Sequence, residues 1–120
     1  MPEKTNLKPI PPTIRGKKRY ILFSMGSERH LNENDVSAAI WKSVLKLFGE
    51  KGAAEMKPWL VLWNRELGRG ILRCSHSRAN DVREALMFIK EAGSSRVQPG
   101  TLLVSGSMAK LKKQLEMQAK

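Results

Sequence analysis

From Trp59 to Trp63 the chain runs through five apolar residues in succession, directly after Pro58. Successive side chains of a strand point to opposite faces, so Trp59, Val61 and Trp63 are expected on one face and Leu60 and Leu62 on the other. A strand that is apolar on both faces must be covered on both. The run Tyr20-Ile21-Leu22-Phe23 makes the same demand. Such a sheet needs a layer on each side. Helices of the chain can cover one face and part of the second, and a protein partner is the natural cover for the rest, with Trp59 and Trp63 as its contact residues.

The remaining elements follow from local signals. Arg19 to Met25 reads as the first strand. Asn32 caps a helix that ends at Gly49, with Val36, Ile40, Val44 and Leu47 as its apolar stripe and Trp41, Leu45 and Phe48 widening it. Pro58 starts the next strand, where it costs no ladder bond. Asn64 to Gly68 form a turn, and Gly70 to Ser75 return as the second arm of a hairpin. Ser77 caps a second helix running to Gly93, with Val82, Ala85, Leu86, Ile89 and Ala92 as its stripe. A last strand covers Thr101 to Ser105 and reaches back toward Arg96, where Pro99 and Gly100 mark an edge or a bulge. Ser107 caps a short final helix with Met108, Leu111 and Leu115 on one side. The order β α β β α β α is the split βαβ arrangement of a ferredoxin-like, RRM-like α+β fold. It implies a four-stranded antiparallel sheet, two helices on one face and an extra C-terminal helix. Residues 17 to 120 form this single domain. Residues 1 to 16, with four prolines and Gly16, form an extended basic arm.

Charge points to the partner. Twenty-two Lys and Arg against 11 Asp and Glu leave +11 on 120 residues, a surplus suited to nucleic acid or an anionic surface. It is concentrated at the ends. Residues 1 to 19 hold six bases and one acid, and residues 107 to 120 hold four bases and one acid, while the middle is nearly balanced. The pattern describes a compact module with electrostatic grips. The candidates for phosphate contact are Arg15 in the arm, Lys17, Lys18 and Arg19 entering the first strand, and Lys110, Lys112 and Lys113 on the last helix. Arg73 in the third strand joins them. The Ser105-Gly106-Ser107 turn adds free amides at a helix start. The first and last strands are neighbours in a ferredoxin-like sheet, so these groups are expected to form one patch.

Other chemistries fall away. Cys74 and His76 are two apart, but one cysteine and two histidines are too few for a four-ligand zinc site, and Cys74 reads as a small core residue. Ser75, His76 and Asp81 name a triad on paper only. There is no phosphate-binding loop and no dinucleotide fingerprint. The third strand, Arg69-Gly70-Ile71-Leu72-Arg73-Cys74, has the Arg-Gly start of an RRM signature but lacks its stacking aromatics, so binding to phosphates and RNA shape is expected in place of base stacking on the sheet. No apolar run spans a membrane and no secretory signal is visible, so an intracellular, cytoplasmic protein is expected.

Seven stretches in register carry a resemblance: Pro11-Pro12-Thr13-Ile14-Arg15, Lys17-Lys18-Arg19-Tyr20-Ile21, Ile40-Trp41-Lys42-Ser43, Lys57-Pro58-Trp59-Leu60, Gly70-Ile71-Leu72-Arg73-Cys74, Ala85-Leu86-Met87 and Val104-Ser105-Gly106-Ser107. In these the chain resembles the Pop5 family, protein component 2 of archaeal ribonuclease P. It departs from the family pattern at Gly100 and Leu103, and at Gln114, Gln118 and Ala119 in the tail. The resemblance implies a subunit of the ribonucleoprotein that removes the 5′ leader from precursor tRNA. It implies that the RNA holds the active site and the Mg²⁺, so this chain binds no cofactor itself. The implied partners are the ribonuclease P RNA, precursor tRNA through the holoenzyme, and a TIM-barrel-like subunit in a heterotetramer with two copies of each. A small RNA chaperone or ribosome-associated RNA-binding module is the alternative that the charge and fold also allow.

Overall fold

The computed structural model describes residues 18–117, with side chains through residue 115. The arm of residues 1–16, with Arg15, and Lys17 beside it lie outside the described residues. Strand β1 (Lys18–Gly26) is followed by helix α1 (Glu33–Met56), strands β2 (Trp59–Asn64) and β3 (Arg69–Ser75) and helix α2 (Ala79–Met87). Strands β4 (Glu91–Ala92), β5 (Ser95–Arg96) and β6 (Gln98–Ser105) and helix α3 (Met108–Met117) complete the order. The main sheet runs β2-β3-β1-β6, antiparallel throughout, which is the ferredoxin-like order.

Each face has its own core. Ile21, Phe23, Leu60 and Leu72 pack with Val36, Ile40 and Val44 of α1 and Val82 and Leu86 of α2. Leu22 and Ile71, on the opposite face, are covered by Leu111 and Leu115 of α3, flanked by Tyr20, Leu62 and Leu103. The short C-terminal helix thus closes the second layer over the sheet centre.

One expectation about β2 is corrected. Its pairing with β3 steps from Leu60–Leu72 to Leu62–Ile71, leaving Val61 as an extra residue in a bulge. Side-chain alternation resets there. Leu60 and Leu62 therefore enter different cores, and Trp63 packs on the α1/α2 side with Leu60. Trp63 stacks on Phe23, with ring centroids 6.0 Å apart, and its Nε1–H donates to the Leu31 carbonyl at 2.7 Å. Trp59, on the other side of the bulge, is 63% exposed. The two tryptophans do not share a face.

Three boundaries also differ. Gly49 does end the capped helical run, at φ 74 and ψ 179, but the chain resumes helix at once and continues to Met56. Only a residue without Cβ adopts that conformation readily. The second helix starts after a 3₁₀ turn at His76–Arg78, without a Ser77 cap, and stops at Met87. Ile89 and Ala92 are buried as expected, but from the segment leading into the β4–β5 hairpin, which turns at Gly93 with φ 63. The last strand begins at Gln98, and Pro99 pairs with Met25. Proline is tolerated because β6 is an edge strand and its missing N–H need not face a neighbour. The expected irregularity lies at Leu102, skipped between the Leu22–Leu103 and Phe23–Thr101 pairs.

Candidate nucleic-acid interface

Antiparallel register brings the start of β1 to the ends of both its neighbours. Lys18 pairs with Ser75, Arg19 with Cys74, and Tyr20 with Arg73 on one side and Ser105 on the other. One end of the sheet therefore gathers Lys18, Arg19, Arg73 and the Ser105-Gly106-Ser107 turn. Lys18 is exposed, and Arg19 and Arg73 are half-buried.

The turn into α3 is held by its own serines. Ser105 Oγ accepts from the Ser107 amide at 3.1 Å, and Ser107 Oγ accepts from the Lys110 amide at 3.3 Å. Ser107 is thus the N-cap that the sequence predicted. Gly106 lies against Arg19, since a Cβ there would stand 2.7 Å from Arg19 Nη1. Lys110, Lys112 and Lys113 are all exposed, while Leu111 and Leu115 between and beyond them are buried. Helical spacing places Lys110 and Lys112 on either flank of that buried stripe and Lys113 on the opposite side of the helix. Lys110 in the first turn of α3, and Lys112 and Lys113 beyond it, are exposed cations on the helix that follows this end of the sheet.

Cys74 and Asp81 have structural roles, and His76 stands at the surface. Cys74 is buried in the core and its thiol is pushed up to about 11 by that burial, with Lys18 opposing the shift. Asp81 accepts from Arg78 Nε at 2.7 Å, Glu55 pairs with the same guanidinium, and His76 is exposed. These two carboxylates raise the Arg78 pKa further, the Asp81 hydrogen bond most. Among the described residues, no group of three or more His, Cys, Asp and Glu side chains is placed to hold a metal ion.

Two surfaces escaped the sequence reading. Trp41 and Leu47, assigned to the apolar stripe of α1, are 46% and 40% exposed. Trp41 borders a cleft of about 710 Å³ between α1 and β2, which Trp59 also lines. Leu47 lines a smaller groove with Phe88, and Met87, next to Phe88 in the chain, is also exposed. Both residues precede the break at Gly49, and helical periodicity marks apolar neighbours along α1 without showing what a second element leaves uncovered.

The comparisons with known proteins agree with this architecture. The model of the Rpp14/Pop5 family matches residues 19–116. The chain is 40% identical over 107 residues to ribonuclease P protein component 2 of Pyrococcus horikoshii, covering 89% of each. It is 39% identical over 106 residues to the protein of that name from Methanocaldococcus jannaschii, covering 88% of this chain and 78% of the relative. A chain in the cryo-EM structure of yeast ribonuclease MRP superposes with a TM-score of 0.60 at 13% identity, over 86% of this chain and 92% of that one, and so shares the fold. The architecture defines an RRM-like α+β domain with a helix on its second sheet face. Within that class, the chain belongs to the Rpp14/Pop5 family.

Proposed function

We infer that this chain is a protein subunit of ribonuclease P and that its basic sheet end holds the catalytic RNA by its phosphates. Family membership supports the subunit role. The observation that carries the site is the convergence of Lys18, Arg19, Arg73 and the capped start of α3 at one end of the sheet. Cations there neutralise phosphates and release counterions, while free amides at the positive start of α3 donate to a further phosphate oxygen. Such contacts position an RNA without reading its sequence. Arg15 in the arm and Lys17 ahead of β1 are further phosphate contacts proposed from the sequence alone.

In this reading the chain supports catalysis and performs none. The RNA supplies the reacting site and its Mg²⁺, precursor tRNA is met through the holoenzyme, and the particle works in the cytoplasm. No described helix is long and apolar enough to cross a membrane. The protein partner is the TIM-barrel-like subunit, two copies of each forming a heterotetramer. Its docking is supported by Leu47 and Phe88, the latter 61% exposed, which share a groove on the helix layer rimmed by Lys42, Lys46 and Lys90. Such apolar side chains outside a core are anchors for a partner.

Pull-down of the tagged chain followed by RNA sequencing tests the reading. One abundant structured RNA, together with a TIM-barrel-like protein, is the expected catch. Ribosomal or mixed RNAs would replace it with the RNA-chaperone alternative.

A further inference from the structure

We propose that the cleft between α1 and β2 is a stacking site for unpaired bases of the RNA, with Trp41 and Trp59 as its platforms and Lys18, Lys57 and Arg73 as its phosphate partners. The proposal rests on the RNA-supporting role inferred above and gives it a second kind of contact, made to bases as well as to phosphates.

The break at Gly49 shapes the site. The first part of α1 supplies Ser37, Ile40 and Trp41, and after the turn at Gly49 the same helix returns Ala53, Ala54 and Lys57 to the cleft. Trp59 lines it from β2, together with the apolar side chains of Ile40, Leu60 and Leu72. Trp41 is 46% and Trp59 63% exposed. Among the described residues the aromatic stack is that of Phe23 and Trp63, so the ring faces of Trp41 and Trp59 are not covered by another ring. Trp63, by contrast, is satisfied within the fold through its bond to Leu31.

Charge selects the occupant. The cleft is lined by three cations, Lys18, Lys57 and Arg73, against one acid, Glu33. Exposed aromatic platforms beside a basic lining are the means by which proteins hold single-stranded nucleic acid, because every base has a π-face whatever its identity. Lys18 and Arg73 also belong to the sheet-end surface. A strand leaving the phosphate patch therefore enters the cleft without a gap in positive charge.

The full chain is titrated with single-stranded hexaadenylate RNA and, separately, with an RNA duplex, reading intrinsic tryptophan fluorescence and affinity. Hexaadenylate is expected to quench the wild type, and Trp41→Ala and Trp59→Ala are each expected to weaken its binding by about tenfold while leaving duplex affinity unchanged. Trp59→Phe should recover part of the loss, and unchanged thermal melting shows that the variants fold. Hexaadenylate binding equal to wild type in both alanine variants overturns the proposal. So does an equal loss of duplex binding. If the TIM-barrel-like subunit displaces hexaadenylate and itself fails to bind Trp59→Ala, the cleft is a protein-docking site and the proposal is again overturned. Lys110→Ala/Lys112→Ala/Lys113→Ala keeps the two readings apart. Unchanged duplex binding there would refute the phosphate surface, while hexaadenylate quenching would still report on the cleft.

Discussion

Arg19 rests its guanidinium on Gly106, so closely that a methyl group at 106 would stand 2.7 Å from Arg19 Nη1. The two residues flank the Tyr20–Ser105 pair where β1 and β6 meet. The crowding atom is the far end of a flexible side chain, so a substituent displaces the guanidinium and leaves the backbone in place. Gly106→Ala should therefore weaken RNA binding about as much as Arg19→Ala, with stability within about 0.5 kcal/mol of wild type. The double variant should bind no more weakly than Arg19→Ala alone, since both changes act on one contact. Wild-type RNA affinity in Gly106→Ala would show that Arg19 holds no phosphate from this position.

The lysines of α3 give a second expectation. Replacing Lys110, Lys112 and Lys113 with Ala should weaken binding to all structured RNAs alike, because phosphate contacts carry no sequence information. The log–log salt slope should fall by roughly 2–3, at about 0.7–0.9 for each lost contact. In a reconstituted particle, precursor tRNA cleavage should drop at low Mg²⁺ and recover as Mg²⁺ rises, since the ion replaces lost screening. An unchanged slope would make these lysines a solvated helix face.

Trp59 and Trp63 should separate cleanly in stability. Trp63→Phe keeps a ring against Phe23 but removes the donor to Leu31, at a cost of about 1–3 kcal/mol. Trp59→Phe, on an exposed ring, should stay within about 0.5 kcal/mol. Urea unfolding followed by circular dichroism measures both. Equal midpoints for the two variants would mean that the Trp63–Leu31 bond contributes nothing to holding the β1–α1 loop.

Cys74 makes the fold sensitive to alkaline pH. Burial raises its thiol from 9.0 to about 11, with the Lys18 charge opposing. The folded state thus favours the neutral thiol more than the unfolded chain does. This contribution to stability is fully present below pH 9.0 and is lost as pH rises through about 11. Urea midpoints between pH 8 and 11 should fall less steeply in Cys74→Ala than in wild type. A thiol reagent at pH 8 should leave the native protein unmodified and react after unfolding. Prompt native reaction would place the thiolate within reach of solvent.

The alternation of Tyr20 to Phe23, the cap at Asn32, the hairpin turn at Asn64–Gly68 and the cap at Ser107 are local events, each decided by a few adjacent side chains. That is why the order of the main sheet and the covering role of Leu111 and Leu115 were legible in the chain itself, as was the meeting of the β1 start with the turn into α3, whereas the β4–β5 hairpin was not. The surplus of +11 and its concentration at the ends were equally plain. What the sequence could not disclose depended on distant partners. The bulge at Val61 exists only in the pairing of β2 with β3, and it sends Trp63 toward Phe23 and Leu31 while Trp59 stays outside. Gly49 marks a helix end by any local rule, yet packing restarts the helix beyond it and carries Ala53, Ala54 and Lys57 back to one cleft with Trp41 and Trp59. Periodicity reports which residues can be apolar neighbours along one element. Whether a tryptophan is core or surface depends on what a second element leaves uncovered, and that is settled only when the elements pack.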